Sequence, residues 1–256
     1  MADTDALPVA GVPARLEPEV TPPGAPGEMS LVDHLVELRN RLVKVVIAIA
    51  LCSAVGFYFG DQIVAILKSP LPGNKPLFFT GIGDAFVIKL KIAVVVGVII
   101  SMPVLLFQIW RFVSPGLTAE ERRIVRPWLP LAFVFFAVGT VIAYVILPFA
   151  AGFLVSFQTP DLQALITAGD YFSFVTTMFL AFGLIMEFPI LLFGLSRVGI
   201  VTSQRLSAAR RPAILGIAIF ATAITPGGDL VSPTVLGFTM YVLFEGTIFF
   251  IRRSGK

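Results

Sequence analysis

The chain has 256 residues, of which 57% are hydrophobic and 14% are charged, and its mean hydropathy is +0.92. A water-soluble protein of this length cannot bury so much apolar surface in one core, so the composition excludes an ordinary soluble domain and indicates an integral membrane protein. The formal net charge of +3 does not indicate nucleic-acid binding, because the basic residues stand beside hydrophobic runs.

The first 29 residues differ from the rest of the chain. They are rich in Pro, Ala, Gly and Glu and contain no apolar run. We therefore expect a disordered tail at 1–29 and no cleavable signal peptide, so that the first hydrophobic run directs insertion. The single cysteine, Cys52, excludes an intramolecular disulfide, and its apolar surroundings favour a packing role.

Six hydrophobic runs follow the tail. A bilayer core about 30 Å thick needs about 20 helical residues. The fifth run, Pro212–Ile224, reaches only about 20 Å as a helix. It either spans a locally thinned bilayer or re-enters with the sixth run as a hairpin that turns at 225–228. The predicted passes cover about 42–62, 90–111, 127–148, 171–196, 211–225 and 231–251.

The third run carries no charge as far as Pro160, which exceeds one span. Pro148 is predicted to mark the outer end of this pass. Residues 149–157 are then predicted to continue as an exposed or interfacial segment.

Basic residues fix the predicted orientation, because lysine and arginine are retained on the cytoplasmic side. The opposite loops have only Lys68, Lys75, Lys89 and Lys91. The sequence thus predicts an all-α membrane domain over 30–253 with six transmembrane helices, the last two short, and both termini cytoplasmic, including the end at 254–256. The 14 basic residues on the predicted cytoplasmic side are Arg39, Arg41, Lys44, Arg111, Arg122, Arg123, Arg126, Arg197, Arg205, Arg210, Arg211, Arg252, Arg253 and Lys256.

Four separated motifs lie within or beside the predicted passes. The segment Ser30–Leu42 enters pass one and contains the pattern HLVELRNRL. The second motif, Phe107–Leu117, leaves pass two and is followed by Glu121-Arg-Arg. Phe182–Pro189 lies in pass four, and Thr225–Asp229 joins passes five and six. Together these four motifs resemble those of the TatC family, the polytopic subunit of the twin-arginine protein translocase. The resemblance covers the chain from about Ser30 to Arg253.

The resemblance implies a function that hydropathy does not. A member of this family binds the twin-arginine signal peptide of a folded cargo protein at the cytoplasmic face. It then works with TatA-like and TatB-like single-span subunits, as several copies in one complex, and uses the proton-motive force. A concave helix bundle in the cytoplasmic (inner) membrane of a prokaryote is implied as well. Membrane lipid is a further partner, and no cofactor, enzyme activity or nucleic acid is implied.

Two acidic residues match family positions for signal-peptide binding, Glu37 and Glu121. A receptor for two arginines should offer carboxylates near the cytoplasmic interface, because bidentate arginine–carboxylate pairs are geometrically specific. Glu37 also lies four residues before Arg41, a spacing typical of a surface ion pair. Thr118-x-x-Glu121 has the pattern of a capping box, so Glu121 has a structural alternative or a double role. The neighbouring Glu120 is a competitor for the binding role.

Other family matches surround these carboxylates. Arg39 holds Glu37 or a lipid phosphate, or acts only as a topology determinant. Phe112, with Trp110, contacts the signal peptide or serves as an interfacial aromatic anchor. Pro70 in the first outer loop is interpreted as a turn residue that acts through loop shape. Pro115 and Leu117 match family positions too.

Glu187 stands out on physical grounds alone. It lies about ten residues, or roughly 15 Å of helix, before Arg197 and therefore near the middle of the membrane. An ionisable group there usually faces a polar cavity or partner. We expect Glu187 to open onto the concave face. The alternative is a buried protonated carboxyl that makes one interhelical hydrogen bond. Pro189 should kink the helix beside it, and Glu245, near Arg252, is expected to snorkel.

The outer tip of the last hairpin carries the remaining candidates. Asp229 and Thr225 match the region that the family uses to dock its small partners. An Asx-type turn is the local alternative for Asp229. Pro233 stands where a glutamine is common in the family, which weakens the docking inference.

Two other classes of membrane protein compete with this hypothesis. A small-solute or ion transporter predicts an internal repeat with broken helices at matching positions, and the halves show no convincing self-similarity. An intramembrane Ser–His or zinc enzyme lacks its histidine, because His34 lies outside the passes. A Walker-type loop is absent from the sequence.

Overall fold

A computed structural model describes residues 31–74, 76–159, 161, 165–197, 199–225 and 229–253. The predicted tail at 1–29, the turn residues 226–228 and the C-terminal end at 254–256 lie outside the described residues. Within the described residues the fold is all-α, and the extended pairing is limited to an isolated bridge between Phe78 and Thr167. The helices are α1 (Leu31–Tyr58), α2 (Gly60–Lys68), α3 (Asp84–Val113), α4 (Ala119–Val125), α5 (Trp128–Ser156), α6 (Ala168–Ile185), α7 (Phe188–Arg197), α8 (Ser203–Ala208), α9 (Arg210–Ile224) and α10 (Val231–Arg253).

Five helical segments in the described part of the chain are long and apolar enough to cross a membrane. They cover Val32–Tyr58, Asp84–Gly116, Ala119–Ser156, Ala168–Arg197 and Val231–Arg253. The fifth predicted run forms α9, whose 15 residues extend about 22 Å and fall short of a bilayer core. The fifth run is therefore a regular but short helix, as expected. The sixth run forms α10, whose 23 residues continue unbroken to Arg253 and are long enough to span, so the prediction that both of the last two helices are short is wrong for α10.

Neighbouring long helices run antiparallel and gather the arginines at one end. His34 near the start of α1 contacts Phe112 near the end of α3, and Trp128 at the start of α5 stacks on Phe193 near the end of α7. We call the end of the bundle that holds His34, Phe112, Trp128 and Phe193 the basic end. At the opposite end the hydroxyl group of Tyr171 donates to the carbonyl oxygen of Leu67, 2.8 Å away.

Two glycines let helices approach closely. A Cβ atom on Gly97 of α3 would lie 2.8 Å from the backbone nitrogen of Ser53 on α1. A Cβ atom on Gly139 of α5 would overlap the carbonyl oxygen of Phe182 on α6. Such small-residue contacts are how membrane helices gain packing without a hydrophobic driving force. They fix the α1–α3 and α5–α6 pairs on which the rest of the bundle is built.

The core lies between α5, α6 and α10. Phe136, Val175, Phe182, Leu236 and Ile248 are each at most 1% exposed. The helix α1 is different, because it packs mainly on α3 and keeps most of its apolar surface exposed. That exposed surface suits contact with lipid or with other membrane subunits.

The prediction for residues 149–157 is wrong in part. The helix α5 continues through Pro148 to Ser156, and Ala150 and Ala151 are 0% and 4% exposed. Their small side chains allow α5 to pack beneath the loop after α2, where Pro72 approaches Gly152. Only part of this segment, including Phe149, is exposed as expected.

The predicted break in pass four is confirmed. The helix α6 ends at Ile185 and α7 begins at Phe188, so Met186 and Glu187 form a turn between them. Pro189 lies in the first turn of α7, where its missing N–H is tolerated. The interruption places an ionisable side chain at non-helical backbone inside a candidate span.

Candidate functional site

One face of α1 at the basic end carries His34, Glu37 and Arg41. The Nε atom of Arg41 donates to Oε1 of Glu37 at 2.9 Å, and Nη2 donates to the same oxygen. The Nη1 atom of Arg41 also donates to Oε1 of Gln108 on α3, 3.4 Å away. The ion pair predicted from the four-residue spacing is therefore confirmed, and it ties α1 to α3.

The second carboxylate oxygen of Glu37 is differently placed. Its Oε2 atom is buried and makes no hydrogen bond within the described part of the chain. The Nδ1 atom of His34 lies 3.8 Å from this oxygen, which is too far for a hydrogen bond. A buried carboxylate oxygen without a donor is unfavourable, so Glu37 retains an unused acceptor.

Phe112 joins this group through His34. Its ring stacks on the imidazole of His34 with centroids 4.3 Å apart and an interplanar angle of 15°. The structure thus brings Glu37 and Phe112, two of the predicted site residues, into one cluster through His34. Sequence reasoning missed His34 and Gln108 as members of the site. The spacing of His34, Glu37 and Arg41, which places them on one helical face, was the available signal.

Glu121 lies on the next element. A short 3₁₀ turn over Ser114–Gly116 follows α3, and Thr118 then caps α4. The backbone N–H of Thr118 donates to Oε2 of Glu121 at 2.9 Å, and the N–H of Glu121 donates to Oγ1 of Thr118 at 3.3 Å. The predicted capping box is confirmed. The capping box fixes the orientation of the Glu121 carboxylate at the basic end. Glu121 is half-buried, whereas Glu120 is exposed.

Arg39 does not hold Glu37. Arg39 is exposed, and its guanidinium group makes no hydrogen bond or ion pair to any described residue. Arg41 takes the place beside the carboxylate. Residues two apart on a helix do not face each other, whereas residues four apart do. A role of Arg39 toward lipid or topology stays a prediction.

Glu187 occupies a nearly closed position. Only 8% of the residue is exposed, and its Oε1 atom is buried without a hydrogen-bond partner in the described residues. This differs from the open position that we expected on the concave face. It also differs from the alternative, a carboxyl that makes an interhelical hydrogen bond. The carboxyl group of Glu187 lies at the break between α6 and α7, and no described residue donates a hydrogen bond to its Oε1 atom.

Glu245 pairs with another helix instead of snorkelling. The Nη2 atom of Arg210 donates to Oε2 of Glu245 at 2.8 Å, and Nε lies 2.7 Å from Oε1. Tyr241, one turn earlier on α10, has its hydroxyl group 3.4 Å from Oε1. The pair joins α9 to α10 at the basic end.

The three candidates at the opposite end have local structural roles. Pro70 lies half-buried in the turn after α2, as its interpretation as a turn residue requires. The Oγ1 atom of Thr225 donates to the carbonyl oxygen of Ala221 at the end of α9. Asp229 is 3% exposed, and its Oδ1 accepts from the N–H of Ser232 at 2.5 Å, so it caps the start of α10. Its turn-forming interpretation is confirmed, although its Oδ2 is buried without a partner in the described residues.

Comparisons with known proteins agree with this architecture. The family model described as Sec-independent protein translocase protein (TatC) matches residues 33–238. A protein of that name from Frankia casuarinae is 38% identical over 232 residues, which are 85% of this chain and 64% of the relative. Its counterpart from Carboxydothermus hydrogenoformans is 34% identical over 223 residues, 86% of this chain and 92% of the relative.

A solved structure is also similar. A crystal structure of the twin arginine translocase receptor TatC matches with a TM-score of 0.75 and 32% identity over 85% of this chain and 99% of that chain. The family is a component of a protein translocase rather than an enzyme family. The matched range includes Glu37, Phe112, Glu121 and Glu187. The chain is therefore a multi-pass membrane protein that belongs to the TatC family.

Proposed function

We propose that this protein is the signal-peptide receptor and core subunit of a twin-arginine translocase, which moves folded proteins across the membrane with the proton-motive force. The observation that carries the proposal is the buried Oε2 of Glu37, which makes no hydrogen bond to any described residue and lies 3.8 Å from His34, the residue on which Phe112 stacks. A guanidinium group offers the donors that this oxygen lacks. Relatives of this chain are protein translocases, which favours this function over small-solute transport.

Two carboxylates suit two arginines. Glu37 accepts one guanidinium group at Oε2, or both of its oxygens become available when Arg41 turns toward Gln108. Glu121 accepts the other from a position that its capping box holds in place. Because each contact is charge-assisted and planar, lysine should substitute poorly for arginine. Phe112 then offers an apolar surface for the residues that follow the arginine pair.

The proposal includes an orientation. The basic end faces the cytoplasm, since lysine and arginine beside short loops are retained on that side. With α9 as a sixth, short crossing, both termini are cytoplasmic, and the protein lies in the inner membrane of a bacterium. The locally thinned bilayer that a helix of 15 residues requires would assist passage of a folded cargo.

Partner subunits complete the translocase. The face between α9 and α10 holds an open apolar groove of about 590 Å³, which suits a single membrane-spanning helix of a TatA-like or TatB-like subunit. Thr225 and Asp229 lie at the outer end of this hairpin. Glu187 is enclosed in the single chain, and it is a candidate contact for a polar residue of such a helix once the break between α6 and α7 opens. Several copies of the chain are expected in one complex. The groove is lined by Ile214, Ile217, Thr222, Pro233, Phe238 and Tyr241.

The experiment is equilibrium binding of a twin-arginine signal peptide to the purified full chain in lipid nanodiscs. A twin-lysine peptide of otherwise identical sequence is the control. We expect the twin-lysine peptide to bind at least tenfold more weakly, because a point charge replaces two planar, bidentate donors. Equal affinity of both peptides would reject the receptor function.

A further inference from the structure

A second charged site lies at the basic end, outside the residues assigned to the signal peptide. An open cavity of about 710 Å³ lies where α4 passes into α5. Three guanidinium groups line it together with apolar atoms of two prolines and an alanine. The lining residues are Ala119, Arg122, Arg123, Arg126, Pro127 and Pro130.

These arginines have no acidic partners within the described residues. The salt bridges of the described residues do not include any of these three arginines. Glu120 lies three residues before Arg123 but forms no salt bridge with it. Arg122 donates from Nη2 to the carbonyl oxygen of Ser114 at 2.7 Å, which leaves its positive charge uncompensated. The guanidinium groups of Arg123 and Arg126 make no hydrogen bond or salt bridge to any described residue. Three like charges around one cavity repel one another unless an anion lies between them.

The geometry of α4 separates this site from the signal-peptide site. At 100° per residue, Arg122, Arg123 and Arg126 lie about 100°, 160° and 140° around the helix axis from Glu121, so they point away from it. A twin-arginine peptide carries the same charge as the cavity and is repelled by it. The cavity therefore suits a negatively charged ligand, whereas Glu121 on another face of the same helix suits a positively charged one.

The position of the cavity indicates the class of ligand. The candidate span Ala119–Ser156 begins here, so the cavity lies where a membrane helix enters the lipid. Exposed Pro127 and Pro130 give the wall next to the arginines an apolar character. Basic pockets at this level of a membrane protein suit the headgroups of anionic phospholipids. An acidic segment of a soluble protein would use the charges but not the apolar wall.

We infer that Arg122, Arg123 and Arg126 form a binding site for the phosphate group of an anionic membrane phospholipid. Arginine suits this ligand because its planar donors bind two phosphate oxygens at once. The bound headgroup neutralises the cavity and fixes α4 at the membrane surface. It thereby sets the height at which Glu121 is presented on another face of the helix.

The test uses the full chain in detergent and measures lipid binding by native mass spectrometry. Phosphatidylglycerol is the probe, and phosphatidylcholine with the same acyl chains is the comparison. The variant R123Q/R126Q removes the two arginines whose guanidinium groups make no hydrogen bond to any described residue. It retains the hydrogen bond from Arg122 to the carbonyl oxygen of Ser114. Each arginine near an anionic headgroup contributes about fivefold to binding, so we expect about 30-fold weaker binding of phosphatidylglycerol and unchanged binding of phosphatidylcholine.

A matched variant controls for net charge. R205Q/R211Q removes two exposed arginines from the same end of the bundle, on α8 and α9, and should keep the wild-type affinity. Equal losses in both double variants, or none in R123Q/R126Q, would overturn the inference. Displacement of phosphatidylglycerol by millimolar inorganic phosphate would identify a site for free phosphate instead of lipid. Preference for a pentaglutamate peptide over phosphatidylglycerol would identify a protein-binding surface. Because lipid binding is measured without a signal peptide, failure here leaves the receptor function intact.

Discussion

Glu121 serves two roles that matched substitutions can separate. In Glu121→Gln the amide oxygen still accepts from the N–H of Thr118, since glutamine also completes a capping box, so α4 keeps its cap. The charge that attracts a guanidinium group is lost. A hydrogen bond to a charged group contributes about 1.5–3 kcal/mol, so twin-arginine peptide binding should weaken about 10- to 150-fold. Thr118→Ala does the reverse, because it removes the cap and keeps the charge.

The cap itself contributes about 1 kcal/mol, so Thr118→Ala should weaken binding by about fivefold at most. The assay is equilibrium peptide binding in nanodiscs, with thermal unfolding of each variant as the measure of structural damage. Glu120→Gln controls for the loss of one nearby negative charge and should have little effect. A larger loss of binding in Thr118→Ala than in Glu121→Gln would show that Glu121 acts only through the helix cap. Equal losses at Glu120 and Glu121 would refute the assignment as well.

Three further predictions concern the rest of the bundle. Glu187→Leu should raise the melting temperature, because it removes a buried oxygen without a hydrogen bond. The same variant should impair transport of a folded reporter while signal-peptide binding persists, and Glu187→Gln should keep much of the transport. Gly97→Ala should destabilise the α1–α3 pair by about 1–3 kcal/mol, since a Cβ atom would lie 2.8 Å from the backbone nitrogen of Ser53. A reporter that requires the cytoplasm should work when fused after Lys256 and fail when inserted near Ala164.

Each of these predictions has an outcome that contradicts it. Full transport by Glu187→Leu would show that the carboxyl group is dispensable. For the helix pair, Gly246→Ala is the control, since its Cβ atom would meet open space, and equal destabilisation of both variants would point to helix propensity and not to packing. An outward-facing C-terminus would mean that α9 does not complete a crossing.

Local features of the site could be predicted from the sequence. The capping box at Thr118 and Glu121, the ion pair of Glu37 with Arg41, and the helix break before Pro189 all depend on residues within four positions of each other. Backbone geometry alone brings such residues together. Five of the six predicted passes are described as helical segments long and apolar enough to cross a membrane, which follows from hydropathy and length, whereas the sixth crossing at α9 stays a prediction.

Long-range packing could not be predicted in the same way. The stacking of His34 on Phe112 joins two helices, and so does the pair of Arg210 with Glu245. Hydropathy does not reveal which helices are neighbours or how they are rotated. The nearly closed position of Glu187 was missed for that reason, because enclosure depends on side chains that neighbouring helices supply.

The most direct test of the receptor function is site-specific crosslinking from Phe112, whose ring lies against His34 beside the unused oxygen of Glu37. A photoreactive amino acid replaces Phe112 in the full chain, and a signal peptide with a twin-arginine or a twin-lysine pair is added before illumination. The same photoreactive residue at Phe238, in the groove between α9 and α10, is the control position. We predict strong crosslinking of the twin-arginine peptide at 112, little of the twin-lysine peptide, and little of either at 238. Equal crosslinking of both peptides at 112, or stronger crosslinking at 238, would contradict recognition of the arginine pair at the Glu37 cluster.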